Sequence, residues 1–567
     1  MACNPQLRNN ALHNTGLFVL LFWQAVTGNA QTNISGFINA NTTWSLSGSP
    51  YIVTGNALVS YGYILTIEPG VVVKFNTDKA LQIDGELHAV GTAESRITFT
   101  SNQPNPSAGD WAKIHFADTC IDASYDALGN YISGSIMKYC DVLYGGGLGY
   151  GEIHAFGSSP YFSNCRILHS SSGGISLNKC NNVIDSCVIR HCVGYGLNWE
   201  YADLNLNNIL ITNDSIENNG GGIAFGNMPG AGIYYIQITN CFFMAHSTFS
   251  VLQFSNPTTP NTIIEGNVFQ SNSKGVVSIN GMINNYIRCN KFTNNSGKII
   301  HNNANNYSGD ISYNLFAGNT ITNGSVIDLE CNSSTDTTSI THNVFYGNTA
   351  SDNCIKLEPN INDMAFTQIR NNEFKNNVAD NTILLDPLYT PNGDFNFIEM
   401  KYNTFSNPLT QYEIRNNLPF GSGNVYVDSN YWGGVNTQHI DSVIYDYFDY
   451  ANQSVVYYQP ILYKSLEIDT SCIPLSLPTS ITVIKEPEFK SIIYPNPATN
   501  YFTIAFDYLL TKGDIEIFNM LGERVLQKDI SQSSKLEVDA TELSNGIYLV
   551  KIRNGGNSHI HKVILQR

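Results

Sequence analysis

A six-residue phrase, an apolar residue followed three positions later by Asn and two further on by a large apolar residue, recurs through most of this chain. It reads IEGNVF, IRCNKF, ISYNLF, ITHNVF, IRNNEF and MKYNTF, with the amides at Asn267, Asn290, Asn314, Asn343, Asn372 and Asn403. Weaker copies carry the series back through Asn240, Asn213, Ser186, Asn164 and Tyr139 and forward to Asn430, at spacings of 22 to 31 residues. That period is too short for two helices with a core and too irregular for leucine-rich repeats, but it suits one coil of a parallel β-helix with three short strands and variable turns. Twelve such coils, at about 4.8 Å each, predict a rod near 60 Å long. Asn is expected at the bend, because it tolerates the left-handed conformation and its amide can hydrogen-bond to the Asn above and below. The series therefore reads as a structural asparagine ladder.

Composition agrees with an all-β chain. Of 567 residues, 13% are charged and 42% apolar, too apolar for disorder and too poor in charge for a helical protein. The formal charge of -17, with no basic cluster, argues against a nucleic-acid partner. It is compatible with neutral glycans, or with acidic ones bridged by cations.

Arg8 precedes the apolar run LFVLLFWQA (17 to 25), and Gly28 and Ala30 precede Gln31 at cleavage-site spacing, which predicts a signal peptide over 1–30. No later stretch is long and apolar enough to predict a transmembrane segment. Eleven of the twelve cysteines follow residue 30, without zinc-type CxxC pairs. Cys140, Cys165, Cys187 and Cys241 each follow the bend of their coil and should share one column, either as stacked thiols or as disulfides between neighbouring coils, 140 to 165 or 165 to 187.

The segments YILTIEPGVVVKFN (63 to 76), LQIDGELHAVGTAESRITFTS (81 to 101), DWAKIHF (110 to 116), IDASYDALGNYISGSIMKYCDVLYGGG (121 to 147) and VDSNYWGGVNTQHIDSVIYDYFDY (427 to 450) resemble extracellular proteins of the pectin-lyase fold with right-handed β-helix repeats. The resemblance implies a right-handed parallel β-helix over 31–465. It does not imply one activity, since such folds include lyases, hydrolases, epimerases and adhesins.

After Tyr463 the periodicity stops, and 466–490 reads as a linker bearing Pro, Ser and Thr. Six alternating runs follow in 491–567 (YFTIAF, DIEIFNM, ERVLQKDI, KLEVDA, GIYLVKIR and HKVILQ) and predict a small Ig-like β-sandwich. IIYPNPATNYFTI, IEIFNMLGERVLQ, LSNGIYLVKI and HKVILQR closely resemble the type A sorting domain of the type IX secretion system. That resemblance implies two partners, the type IX machinery and its sorting peptidase, with passage across the outer membrane of a Gram-negative cell and removal of the domain in or near the linker. The body would then be attached at the surface or released.

Sites on such rods lie along an exposed strand. The strand starting about a dozen residues after each Asn reads GISLN, GLNWE, GIAFG, VVSIN, VIDLE, CIKLE and ILLD. Alternation turns Ile175, Leu177, Leu197, Trp199, Ile327, Leu329, Ile355 and Leu357 inward and Ser176, Asn198, Asp328 and Lys356 outward. The next outward column is Asn178, Glu200, Gly226, Asn280, Glu330, Glu358 and Asp386. Glu330, Glu358 and Asp386 on successive coils, with Lys356 and Asp328 beside them, are the candidate catalytic residues: such a group would hold Ca²⁺ against an acidic sugar or supply an acid and base to a hydrolase. A one-residue slip would turn the column inward.

Asp118, Asp122 and Asp126, with Ser124, Gly129 and Asn130, offer oxygens for a second candidate Ca²⁺ site, although the closing Glu of a twelve-residue calcium loop is missing. Tyr144, Gly145 to Gly147, Tyr150, His154 and Tyr195 are candidates for a sugar platform. The Arg motif of pectate lyases, the NTD, DD and GHG phrases of polygalacturonases and the Lys/Arg pair of chondroitinase-like lyases are absent, so no family catalytic residue carries over. The expected function is a surface β-helix that binds extracellular polysaccharide or serves as an adhesin or spacer. The alternatives are a polysaccharide lyase or glycoside hydrolase on the carboxylate column, and a purely structural surface-layer role.

Overall fold

The computed structural model describes residues 31–126, 129–200, 209–226, 235–255, 259–279, 282–283, 285–302, 307–331, 337–359, 366–387, 398–421, 423–474, 491–520, 522–554 and 557–567. The expected signal peptide, Asn280 and most of the expected linker lie outside them.

Each coil contributes a strand before the Asn bend, a short strand after it and a third strand beyond a second bend. The pre-bend strands, from Thr42–Trp44 to Val456–Tyr457, form a 16-stranded parallel sheet, and the other two strands of each coil join in a 29-stranded network. Sixteen strands exceed the twelve phrases because the coils at Thr42–Trp44, Ile64–Ile67 and Glu86–Val90, and the last at Val456–Tyr457, lack the Asn signature. The rod interior is one continuous apolar core. Phe243, Phe269, Phe292, Phe316, Phe345, Phe374 and Phe405 stack ring on ring at 4.6 to 5.4 Å, with Trp432 closing the pile at 4.9 Å. These are the large apolar residues of the repeated phrase, placed inward by strand alternation.

The ladder exists, but its residues do not occupy the left-handed conformation. That falls to the residue before: Gly266, Cys289, Tyr313, His342, Asn371 and Tyr402 all have φ between 53° and 66°. Each ladder Asn is instead fully buried. Asn290, for example, donates from its backbone N (2.9 Å) and Nδ2 (3.0 Å) to Asn314 Oδ1, and from Nδ2 to the Ile264 carbonyl (2.8 Å). Upstream, Tyr139, Asn164, Ser186, Asn213 and Asn240 are the left-handed residues. The ladder slots there are one residue later, at Cys140, Cys165, Cys187, Asp214 and Cys241, all fully buried. The five upstream copies thus lie one position before their ladder slots, whereas Asn430 is a true ladder residue that accepts from Asn403. The four cysteines are free thiols packed in the core, not bridges between coils.

A second ladder runs at the second bend through Asn272, Asn295, Asn319, Asn348, Asn377 and Asn407. It ends on Glu413, whose two carboxyl oxygens accept from the Asn407 N (3.0 Å) and Nδ2 (2.9 Å). Burial pushes the Glu413 carboxyl up despite those bonds and one from Thr382. The signal lay in the sequence as an Asn five residues after the first in five of the six phrases, and four after it in the last.

In 491–567 the six expected runs merge. Tyr501–Phe518 and Arg524–Asp539 are long continuous strands, joined with Ser491–Tyr494, Gly546–Asn554 and Asn557–Leu565 in a single five-stranded antiparallel sheet. One end of Tyr501–Phe518 pairs Ser491–Tyr494 and the other pairs Gly546–Asn554, so the two halves expected as separate sandwich layers are continuous. A separate core of Phe502, Ile504, Ile515, Ile517, Val550, Ile552 and Val563 lies within it.

Candidate functional site

The third-strand sheet places its side chains as alternation requires. Ile175, Leu177, Leu197, Trp199, Ile327, Leu329, Ile355 and Leu357 are buried in the core. The outward side chains pair coil to coil in one register: Gln82, His115, His154, Ser176, Asn198, Ala224 and Gln253, then Ser278, His301, Asp328, Lys356, Leu384, Arg415 and Tyr445. Fourteen coils therefore share one outward column with neighbours about 4.8 Å apart.

Within it Asp328 lies opposite Lys356, and in the next outward column Glu330 lies opposite Glu358. Asp386 follows Leu385, the partner of Leu357, so it continues the Glu330 and Glu358 column as a turn residue. The charges are matched locally. Lys298 Nζ lies 2.7 Å from Asp328, and Lys356 is ion-paired with Glu358. Asp386 accepts from Asn417 Nδ2 at 3.1 Å. The Glu330 backbone is bracketed by the Asn302 amide, with N donating to Oδ1 (2.7 Å) and O accepting from Nδ2 (3.0 Å). Burial opposes the charge on Lys356, but the hydrogen bond and charge of Glu358, with Asp328 and Asp386 behind it, raise its pKa overall. Lys356 is therefore a cation at neutral pH, suited to holding an anion or a hydroxyl and not to accepting a proton as a base. Further along, the Arg415 guanidinium sits 4.7 Å from the Tyr445 ring centroid.

At the N-terminal end the same column holds a cluster that sequence reasoning only half identified. His115 stacks on His154 at 4.8 Å, and His154 on Tyr150 at 4.7 Å. Lys113 Nζ lies 3.3 Å from His154 Nδ1 and 3.9 Å from the Tyr150 ring centroid, and Asn178 Nδ2 lies 3.4 Å from His154 Nε2. Burial, then Lys113 and His115, push His154 down to about 3; burial and Lys113 also lower His115. Both imidazoles are neutral at physiological pH and act as hydrogen-bonding groups, not charges. The other proposed platform residues lie in separate stacks, Tyr144 on His169 (5.3 Å) and Tyr195 on Phe249 (5.0 Å). Lys113 and His115 were missed because these early coils lack the Asn phrase that fixed the alignment elsewhere.

Asp118, Asp122 and Asp126 are not brought together. Among the described residues no group of three His, Cys, Asp or Glu is placed to hold a metal ion. Asp122 Oδ1 accepts from the Ser159 N–H (2.7 Å), 37 residues away, while Asp126 closes a turn by accepting from the Asn130 backbone N–H (2.8 Å) and from its Nδ2 (2.9 Å). No described helix is long and apolar enough to cross a membrane.

The family models that match this chain agree with this architecture. Residues 116–243 and 151–310 match the family described as right handed beta helix region, and residues 492–566 match the secretion system C-terminal sorting domain. The matches and the coils together define a right-handed parallel β-helix body followed by a C-terminal sorting domain of the type IX secretion system. Among curated proteins, Protein bark beetle of Drosophila melanogaster is 49% identical over 55 residues, which is 10% of this chain and 2% of that protein. Among solved structures, the Siphovirus 9NA tailspike receptor binding domain aligns over 93% of this chain and 99% of its own at 10% identity, with a TM-score of 0.20. The receptor-binding protein of bacteriophage Det7, a podoviral tailspike in a myovirus, covers 93% and 98% at 9% identity, again with a TM-score of 0.20.

Proposed function

We propose that this chain is exported as the passenger of its C-terminal sorting domain, reaches the surface of a Gram-negative cell, and engages extracellular polysaccharide along its outward column. The division we infer is a signal peptide over 1–30, a body over 31–465, a connecting segment over 466–490 in which the sorting peptidase acts, and the sorting domain over 491–567. The observation that carries the binding reading is the fourteen-coil column. Hydrogen-bonding or charged groups fill twelve of its fourteen positions, Ala224 and Leu384 being the exceptions, with Lys356 and Arg415 held in place by Glu358 and Tyr445 and with Lys298 beside the column paired to Asp328. A regular row of oriented donors and acceptors suits many weak contacts to an extended polymer better than one closed reaction centre. Glu330, Glu358, Asp386, Lys356 and Asp328 are then contact residues.

The test is retention of the purified full-length chain on pectin, alginate, chondroitin and neutral glycans, with and without Ca²⁺, while following unsaturated products and new reducing ends. Retention that falls at least tenfold in Lys356→Ala and Arg415→Ala, with no product, is the expected result. Product formation lost in Glu330→Gln or Glu358→Gln would replace the reading with a lyase or hydrolase. Absence of retention on every glycan would sink the glycan-binding reading.

A further inference from the structure

Nine of the cysteines after residue 30 are buried free thiols, and four of these, Cys140, Cys165, Cys187 and Cys241, fill ladder slots inside the rod. Cys289 differs by one position. It holds the left-handed bend residue just before ladder Asn290, with φ of 56°, and that bend turns it away from the core. Its disulfide partner is Cys472, 183 residues later and beyond the last coil, with the two Cα atoms 5.4 Å apart. The last coil is fixed by the Ser429 N–H donating to the Pro460 carbonyl and the Leu462 N–H donating to that of Asn430. From the coil of Pro460 back to that of Cys289 there are six steps of about 4.8 Å, some 29 Å. The twelve residues 461 to 472 reach at most about 40 Å, so the chain has to double back along the rod, at an average of about 2.4 Å per residue, to bring Cys472 to Cys289. Leu466 and Ile468 are half-buried, alternate residues around them are exposed, and Ile473 is buried where the strap ends.

We propose that Cys289–Cys472 is a staple that sets where the sorting domain leaves the body: from the flank of the rod, at the tenth strand of its 16-stranded sheet, and not from its tip. The proposal rests on the sorting reading only for its consequence, which is that a body attached through its C-terminal end would be held side-on, with the outward column lying along the surface instead of projecting from it. Little besides the staple holds the strap, since most of residues 463 to 472 are exposed. Forming the bond removes two protons and two electrons from the two thiols. A disulfide-bearing oxidoreductase of the export compartment takes them and leaves as the dithiol.

The experiment uses the full-length chain, recovered from the oxidising export compartment before the sorting domain is removed, with a site-specific protease sequence replacing residues 465 to 468, denatured in alkylating reagent before and after cutting. The expected result is that Cys289 and Cys472 are recovered in one linked peptide while the nine core cysteines are alkylated. The cut C-terminal fragment then stays with the body until reductant is added. Release of that fragment without reductant, or alkylated Cys289 and Cys472, would overturn the proposal. Cys472→Ser, which leaves the solenoid untouched, must release the fragment in both conditions. Secretion is scored separately, so a chain that keeps the staple but is not exported refutes the sorting reading alone.

Discussion

Replacing Asn319 with Ala should cost more than any surface change on this rod. Asn319 Oδ1 accepts from the Asn295 backbone N–H and Nδ2, both at 3.0 Å, and its own Nδ2 donates to Asn348 Oδ1 (2.8 Å) and to the Phe292 carbonyl (3.0 Å). The alanine keeps its backbone N–H bonded to Asn348 Oδ1. It strands two buried donors, the Asn295 N–H and one hydrogen of the Asn295 amide, while the Phe292 carbonyl keeps its place in the strand ladder with the coil of Phe316. At about 1 to 3 kcal/mol for each unsatisfied buried group, the loss is about 2 to 6 kcal/mol, a large part of what an ordinary domain has. The control is Asn323→Ala, an exposed turn residue, for which a change within about 0.5 kcal/mol is expected. Urea unfolding followed by circular dichroism gives the difference if the slope is unchanged, and hydrogen exchange at the Asn295 amide reports whether the loss is local, as stacked coils allow. An Asn319→Ala change below 1 kcal/mol, indistinguishable from the control, would refute the view that the ladder is a principal source of stability.

Asp214 occupies a first-ladder slot, and burial pushes its carboxyl well above the ordinary range. Because its folded pKa exceeds its unfolded one, its contribution is complete below the unfolded pKa, near 3.8, and declines as pH rises toward the folded value. Asp214→Asn should therefore raise the thermal midpoint at pH 7 to 8 and converge with the parent near pH 4; an equal gap at both pH values would contradict this. Phe316→Ala, which opens the ring pile between neighbours at 4.9 and 4.6 Å, should cost about 3 to 5 kcal/mol in the same denaturation assay. Lys356→Ala breaks a partly exposed pair and should change stability by less than about 1 kcal/mol, so any tenfold loss of glycan retention in that variant reports binding and not unfolding.

The class of fold was legible because a solenoid writes its geometry into the chain. Each coil must return the same side chains to the same places, so Asn290 and Phe292 recur as Asn314 and Phe316, and period-two alternation alone sends Leu329 and Leu357 inward. The second ladder was equally legible at Asn272 and Asn295, five residues on. The upstream register was not. Where Cys or Asp replaces Asn, the residue beside the slot is often Asn, and only the backbone conformation of Asn213 and Asn240 distinguishes the bend from the ladder.

By itself the sequence determined the repeat and the inward and outward columns, because each depends on contacts between a residue and its counterpart one coil away, and it marked the sorting segment by phrases local to that segment. Only the tertiary structure decided which charges are neutralised, how Lys113 meets His154, and that Cys472 returns to Cys289. These contacts depend on turns of unequal length and on the path of the chain after the last coil, and neither repeats, so no period in the sequence records them.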